Sequence, residues 1–375
     1  MARARWIVPW KDSVEKPVFY HCISRVVDRK LVFGPAEKEK FRTLMRMQEK
    51  FTGCRVAAYC LMCNHFHLLL EVPPPPAGGF SDEDLLLRLR AIYSEAFVAE
   101  VASELAEARA KVRDGLAKES VVTRIHERFT YRMHDLSEFM KTLVQRFTQW
   151  FNRTHQRTGN LWEDAFKSVI VEDGVAAKTM AAYIDLNPVR AGMVKNPEDY
   201  RWSSYGEAIG GGAKGNGKKA RAGLVRALRG HKGVAADDTF WKGDVALEYR
   251  KLLLSVAGEK VEERVDRNGR MERLKKRAGM SAEALAAEQA RLREAEEKRL
   301  GELPFGRMLR CRVRYFTAGA VIGSRQFVDE AFAGARHRFG PKRKDGARRL
   351  RGDASAAAGI LWSLRDLRKD VTIVS

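Results

Sequence analysis

Arg55 to Val72 reads RVAAYCLMCNHFHLLLEV: two apolar runs joined at Met62-Cys63-Asn64. Both runs are rich in aromatic, branched and other large apolar residues and read as the arms of a β-hairpin. The second run carries His65 and His67 with Phe66 between them. In a strand, residues i and i+2 point to the same face. The two imidazoles therefore sit side by side while Phe66 and Leu68 turn into a core. Neutral imidazole is a common ligand for divalent ions, so the pair is the start of a metal site.

Upstream, residues 17–27, PVFYHCISRVV, read as a first strand entered after a proline. Residues 35–52 read as a helix with Phe41, Leu44, Met45 and Met47 as its apolar stripe. Downstream, Pro73–Pro76 and Gly78-Gly79 end the hairpin. Ser81-Asp82-Glu83-Asp84 is a helix start, and residues 81–135 have the composition of a charged helical insertion. Asp135 to His155 is an amphipathic helix: Leu136, Phe139, Met140, Leu143, Phe147, Trp150 and Phe151 follow helical spacing, with Lys141, Arg146 and Arg153 on the rest of its surface. Gly159 to Glu163 is a turn, FKSVIV (166–171) a further strand, and Val175 to Asn187 a helix expected to end before Pro188.

The chain then changes character. Residues 207–223, rich in Gly and Lys, read as a flexible linker. Residues 224–375 read as a mainly helical basic region, with a charged helical run over 259–303 and a candidate helix-turn-helix at 317–334 in which Ser324 caps the second helix.

Across 375 residues the formal net charge is +21, from 69 Lys+Arg against 48 Asp+Glu, which favours polyanionic partners, nucleic acid above all. No run of about 18 uncharged apolar residues is present, so no membrane partner is expected. The first residues, MARARWIVPWKDSVEKP, lack the apolar core of a signal peptide. Five cysteines fit a reducing cytoplasm, where a nucleoid-associated protein would reside, rather than a disulfide scaffold.

Tyr183 and Asn187, in MAAYIDLNPVRAGMV, are i and i+4 and share a helix face. If that face packs over the sheet face bearing His65 and His67, an amide oxygen and a phenol join two imidazoles. Such a set could hold a six-coordinate ion that leaves positions open for phosphate oxygens.

YCLMCNHFHLLLEV, followed by AAYIDLNPVRAGMV, resembles the single-tyrosine HUH transposases, and most nearly the REP-associated tyrosine transposases. YHCISRVVDRKLVF, FMKTLVQRFTQWFNRTHQRTGNLWEDAFKS and WSSY extend the resemblance over residues 14–206. It implies an α+β HUH catalytic domain: a ferredoxin-like antiparallel sheet with helices on one face, the mainly helical C-terminal region following. It further implies that His65, His67 and Asn187 hold Mg²⁺ or Mn²⁺ and that Tyr183 is the nucleophile. The reaction so implied is cleavage and rejoining of single-stranded DNA through a 5′-phosphotyrosine link, next to hairpin or palindromic repeats, by a monomer or homodimer. Lys141, Arg146, Trp150, Arg153, Trp162 and Lys167 are the expected DNA contacts, from their charge and aromatic character.

Two other readings compete. Cys60-x-x-Cys63 beside the histidines supplies four zinc-type ligands, although strand alternation from His65 and His67 does not place Cys60 with them. A non-catalytic DNA-binding regulator suits the charge equally well.

Overall fold

In a computed structural model, the protein is described at residues 17–212, 215–230, 241, 244–257, 264–265, 271–272, 316–317, 319–349 and 361–365. The first strand, β1 (Val18–Arg25), leads to helix α1 (Pro35–Thr52) and the hairpin β2 (Arg55–Leu61) and β3 (His65–Val72). Gly53, at φ 76°, supplies the left-handed residue that ends α1 and turns the chain into β2 two residues later. Three helices follow, α2 (Asp82–Leu89), α3 (Glu95–Arg113) and α4 (Ser120–Thr130). They bury Leu85, Leu89, Val98, Val101, Leu105, Ile125 and Phe129 around Phe51 in a core of their own, as an inserted helical unit would. Helix α5 (Leu136–Thr154), capped by Asp135, and strand β4 (Lys167–Val171) complete a βαββαβ unit.

The unit's strands lie in the order β2-β3-β1-β4, all antiparallel, which is the ferredoxin-like arrangement expected. Its crossover helices α1 and α5 pack on one face, where Phe41, Met45, Phe139, Leu143 and Phe147 meet Tyr20, Cys22, Phe66, Leu68 and Leu70. The other face is covered as well. There α6 (Val175–Asp185), α8 (Ser204–Gly210) and α9 (Asn216–Arg229) pack on Phe19, Ala58, Leu69 and Val169, with the short α7 (Asn187–Arg190) between α6 and α8. Helices on one face therefore describe the βαββαβ unit and not the whole sheet.

The Gly/Lys stretch is not a linker. Within it α9 crosses β2 so closely that a Cβ on Gly223 would lie 2.4 Å from the Val56 carbonyl oxygen. Glycine is there for contact, not for freedom. Arg226 of α9 pairs with the fully buried Glu71 of β3 at 2.7 Å and pins the helix to the sheet. Pro188 does not end the helical path either. It occupies the first turn of α7, where a missing N–H costs no hydrogen bond.

Beyond α9, helix α10 (Asp244–Ala257) packs on α6, and the two-residue strands β5 (Arg264–Val265) and β6 (Met271–Glu272) pair with each other. The rest of the charged run expected to be helical over 259–303 lies outside the described residues. The segment expected as a helix-turn-helix is instead strand β7 (Gly319–Gly323) and helix α11 (Arg325–Gly334). Ser324 does cap that helix, accepting from the Phe327 N–H, but residues 319–323 are fully buried and pair parallel to β4. With β8 (Arg348–Arg349) and β9 (Trp362–Arg365), β7 extends the sheet to seven strands, β2-β3-β1-β4-β7-β9-β8. An isolated apolar pentapeptide flanked by glycines has no period of its own to separate strand from helix.

If α9 is a packed helix, Gly223→Ala should lower the unfolding free energy of the full chain by about 1–3 kcal/mol, the usual cost of overpacking. Urea denaturation measures it; a change indistinguishable from zero would return the stretch to linker status.

Candidate active site

The register of four strands builds the site's floor. Lys167 of β4, Ile23 of β1, His67 of β3 and Cys60 of β2 are successive cross-strand partners, so they form one row on one face. Arg25 pairs with His65 in the adjoining row. Helix α6 lies over this face and brings Tyr183 down on it, with the ring centroid 6.0 Å from His67 and 5.9 Å from His21. A cavity of about 300 Å³ is lined by His65, His67, Tyr183, Asn187, Lys167, Arg25, Arg190, Glu163 and Asp164, among others. The convergence of His65, His67, Tyr183 and Asn187 expected from helix and strand periodicity is therefore present.

The protonation of the imidazoles follows from their partners. His21 Nδ1 lies 2.9 Å from the carbonyl oxygen of Phe316, which can only accept, so Nδ1 carries the hydrogen. Burial holds His21 down to about 4, against the raising effect of that carbonyl, so the ring is neutral and its Nε2 is an acceptor. His67 Nδ1 sits 2.9 Å from that Nε2 and must donate to it. The lone pair of His67 is thereby left on Nε2. Burial, then the neighbouring His21 and His65 and the Arg190 and Arg25 guanidinium groups, hold His67 well below its ordinary value.

His65 reaches the same state independently. Its Nδ1 lies 2.7 Å from Oδ1 of Asn64, and the amide cannot be turned round because its Nδ2 donates to the Arg29 carbonyl. Nδ1 is again the donor and Nε2 the lone pair. Burial, then Arg25 and Arg190, hold His65 down to about 4. Both residues thus present neutral Nε2 donors on one cavity, the form in which imidazole binds metal, with the opposite nitrogen fixed by a hydrogen bond.

Asn187 lines the cavity but is engaged in other contacts in this arrangement. Its Nδ2 donates to the Tyr183 and Ile184 carbonyls at 3.2 and 3.1 Å, and its Oδ1 accepts from Arg190 Nη2 at 2.5 Å. The amide caps α6 and orients Arg190, and its oxygen is already engaged. Among the described residues no group of three or more His, Cys, Asp or Glu side chains is placed to hold a metal ion. Two imidazoles therefore present lone pairs to the cavity, and the Asn187 oxygen beside them is engaged with Arg190.

Tyr183 is 1% exposed and closely held. Its ring stacks on Phe316 at 4.4 Å and 19°, and the Arg190 guanidinium lies 4.1 Å over it. Burial raises the phenol's pKa, while the charge and hydrogen bond of Arg190 work in the opposite direction and only partly offset it. The side chains of Arg25 and Lys167 have no hydrogen-bond or ion-pair partner among the described residues and leave cationic groups open to an anion at the cavity.

The expected DNA contacts divide. Lys167 lines the cavity, whereas Lys141 lies on the neighbouring surface of α5 and pairs with Glu138 at 3.1 Å. Arg146 turns toward the helical insertion and donates to the Ile92 carbonyl at 3.5 Å. Trp150 packs on Phe147 and under Lys40. Arg153 is exposed at the end of α5, away from the cavity lining. Trp162 is 5% exposed, a core residue whose Nε1 donates to Thr148 Oγ1 at 2.8 Å, and it lines a separate cavity beside α5 rather than the one at Tyr183.

Among the described residues the cysteines form no zinc site. Cys60 lies opposite His67, contrary to the expectation from alternation, because the two-residue turn at Cys63-Asn64 pairs Leu61 with Phe66 and Cys60 with His67. Its buried thiol is pushed well up by desolvation and is 3.6 Å from Met62 Sδ, while Cys63 lies by Lys38 at 3.8 Å.

His21, Arg25, Arg190 and Phe316 were not singled out from sequence. Period-2 alternation along YHCISR does place His21, Ile23 and Arg25 on one face. Nothing local in Arg190 or Phe316 marks them.

Comparison with known proteins follows the same lines. Residues 16–77, which hold β1, α1 and the histidine hairpin, match the family model described as Transposase IS200 like. Among solved structures the chain is similar to one described as the REP-associated tyrosine transposase bound to a REP hairpin, at 12% identity and a TM-score of 0.34, over 58% of this chain and 88% of that one. No curated protein matches the chain. No helix among the described residues is long and apolar enough to cross a membrane.

Two outcomes check the geometry. Nitrogen NMR should find His67 protonated on Nδ1, and His21→Phe should release it to the commoner Nε2–H form; an unchanged tautomer would contradict the chain of hydrogen bonds. Stability should also fall with acid. Unfolded imidazoles titrate near 6.5 and His21 folded at about 4, so the unfolded chain binds more protons between those values. The contribution of His21, ~3 kcal/mol by the pKa difference, is full above pH 6.5 and lost as pH falls toward 4. Urea unfolding at stepped pH reads this, and a flat profile across the window would refute it.

Proposed function

We propose that the chain is a single-tyrosine DNA nuclease and strand-transferase of the REP-associated kind, acting on single-stranded DNA beside a hairpin. The observation that carries this reading is the descent of Tyr183 onto two neutral, oriented imidazoles in a cavity flanked by Arg25 and Lys167. The match of residues 16–77 to the IS200-like transposases supports it.

In this reading a phosphodiester enters the cavity with its non-bridging oxygens toward Arg25, Lys167 and Arg190. Tyr183 Oη forms a bond to phosphorus and gives up its proton, and the P–O3′ bond breaks with uptake of a proton by the 3′ oxygen. One ester replaces another, so no water is consumed, and a second 3′-OH can reverse the step to rejoin strands. A Mg²⁺ or Mn²⁺ ion held by His65 and His67 would supply Lewis-acid polarisation of the phosphoryl oxygen. Arg190 favours the ionised phenol by charge and hydrogen bonding, and entry of the phosphate competes for its contact with Asn187. Release of Arg190 would free the Asn187 amide oxygen to complete the expected ligand set.

A second reading, a DNA-binding protein without cleavage, is favoured by two observations: the raised phenol and the engaged Asn187 oxygen describe a site at rest. One experiment separates them. Full-length protein with Mn²⁺ and a hairpin-flanked single strand should give a denaturation-resistant protein–DNA adduct, absent in Tyr183→Phe while binding persists. An adduct retained in Tyr183→Phe moves the nucleophile elsewhere. Binding with no wild-type adduct on any such substrate leaves the non-catalytic reading.

A further inference from the structure

A second cavity, of about 560 Å³, opens beside the first. It lies against the α5 side of the sheet, and the two meet at the end of β1, where Ser24, Asp164 and Ala165 line both. Its size falls within the ~300–1,000 Å³ range of small-molecule clefts. Its walls are Val144, Trp162 and Phe166, and its polar edge is formed by Gln145 and Gln149, one helical turn apart on α5.

The chemistry of the two cavities is complementary. The catalytic cavity has three cationic side chains, Arg25, Lys167 and Arg190, against two carboxylates, Glu163 and Asp164, and its net positive lining suits phosphate. The second has one Lys and one Asp among its lining residues, and Lys141 is already paired with Glu138, so it has no net attraction for phosphate. It offers apolar walls and uncharged amides. Both Gln145 and Gln149 are exposed, and their side-chain amides have no hydrogen-bond partner among the described residues. The opposite wall is fixed: Asn160 spends its amide on both backbone groups of Trp162, and the Trp162 indole is tied to Thr148. An apolar slot with rigid walls and two free donor–acceptor amides is suited to a nucleobase, whose edge pairs donors and acceptors and whose faces are apolar.

We propose that this groove seats the unpaired nucleobase next to the phosphate held at Tyr183, and that Gln145 and Gln149 read its edge. The proposal rests on the nuclease reading for the position of that phosphate, and it assigns sequence preference to a specific pair of side chains. A strand would turn round the end of β1, its phosphate on one face of the sheet and its base on the other.

The test uses full-length protein without added metal and fluorescence anisotropy on hairpins with a single-stranded tail. Each tail nucleotide in turn carries each of the four bases or an abasic residue. At one position wild type should discriminate by roughly five- to 100-fold, the effect of a well-made amide–base pair. The double variant Gln145→Met/Gln149→Met keeps side-chain length and helix propensity without the amides. It should flatten that preference to about twofold or less and leave the salt dependence of binding, which reports phosphate contacts, unchanged. Retained discrimination in the variant, or none in wild type at any tail position, overturns the proposal. Adduct formation through Tyr183 without such discrimination would remove the groove's role and leave the nuclease reading. Discrimination lost in the variant but no adduct from wild type would do the reverse.

Discussion

The antiparallel ladder between β1 and β3 is the constraint on which the site depends. Its register puts Ile23 beside His67 and Arg25 beside His65. A slip of one residue would turn both imidazoles into the core under α1 and α5 and push Phe66 and Leu68 out of it. Phe66, Leu68 and Leu70 are fully buried there, each contributing ~1.5–3 kcal/mol by burial. A single hydrogen bond such as that between His21 and His67 contributes about 1 kcal/mol net. The apolar side of β3 therefore fixes the register, and the chemical side is carried into place by it.

One electrostatic arrangement serves two ends. Arg25 and Arg190 stand close enough to the imidazoles to oppose a positive charge on them, which adds to burial in keeping them neutral. The same cationic groups, with Lys167, favour an incoming phosphate. A site in which the histidines were protonated would attract phosphate as well and would lose its lone pairs. Neutral imidazoles among permanent cations keep both properties over ordinary pH.

What the sequence revealed followed from periodicity. His65 and His67 two apart in a strand, and Tyr183 and Asn187 four apart in a helix, are each short-range patterns, and the structure brings both pairs to one cavity. Contacts made over long separations left no such trace. His21 meets His67 across 46 residues and Phe316 across 295, and neither partner stands in a pattern that names the other. Composition misled in the Gly/Lys stretch, because glycine is the residue of close packing as well as of loose chain, and only the neighbour at Gly223 distinguishes the two. Trp162 is ambiguous for a related reason: an aromatic in a turn can serve core or surface, and its indole is mostly buried among Phe33, Phe66 and Phe147.

The boundary drawn at residue 206 from the change in composition is not a boundary in the packing. Asp185, two residues after Tyr183, accepts from the Tyr205 N–H at 3.0 Å and from the Tyr249 hydroxyl at 2.6 Å, and burial pushes its pKa up to about 7. Phe316 supplies both the carbonyl that sets His21 and the ring that stacks on Tyr183. Strand β7 extends the sheet directly from β4. The helix that carries Tyr183 is held from beneath by the βαββαβ unit and from above and beside by residues after 206. A chain cut at that point would keep both histidines and Tyr183 in sequence while losing the groups that fix the orientation of His67 and the position of α6. The C-terminal residues that reach the site are thus part of its construction, whatever else the region does.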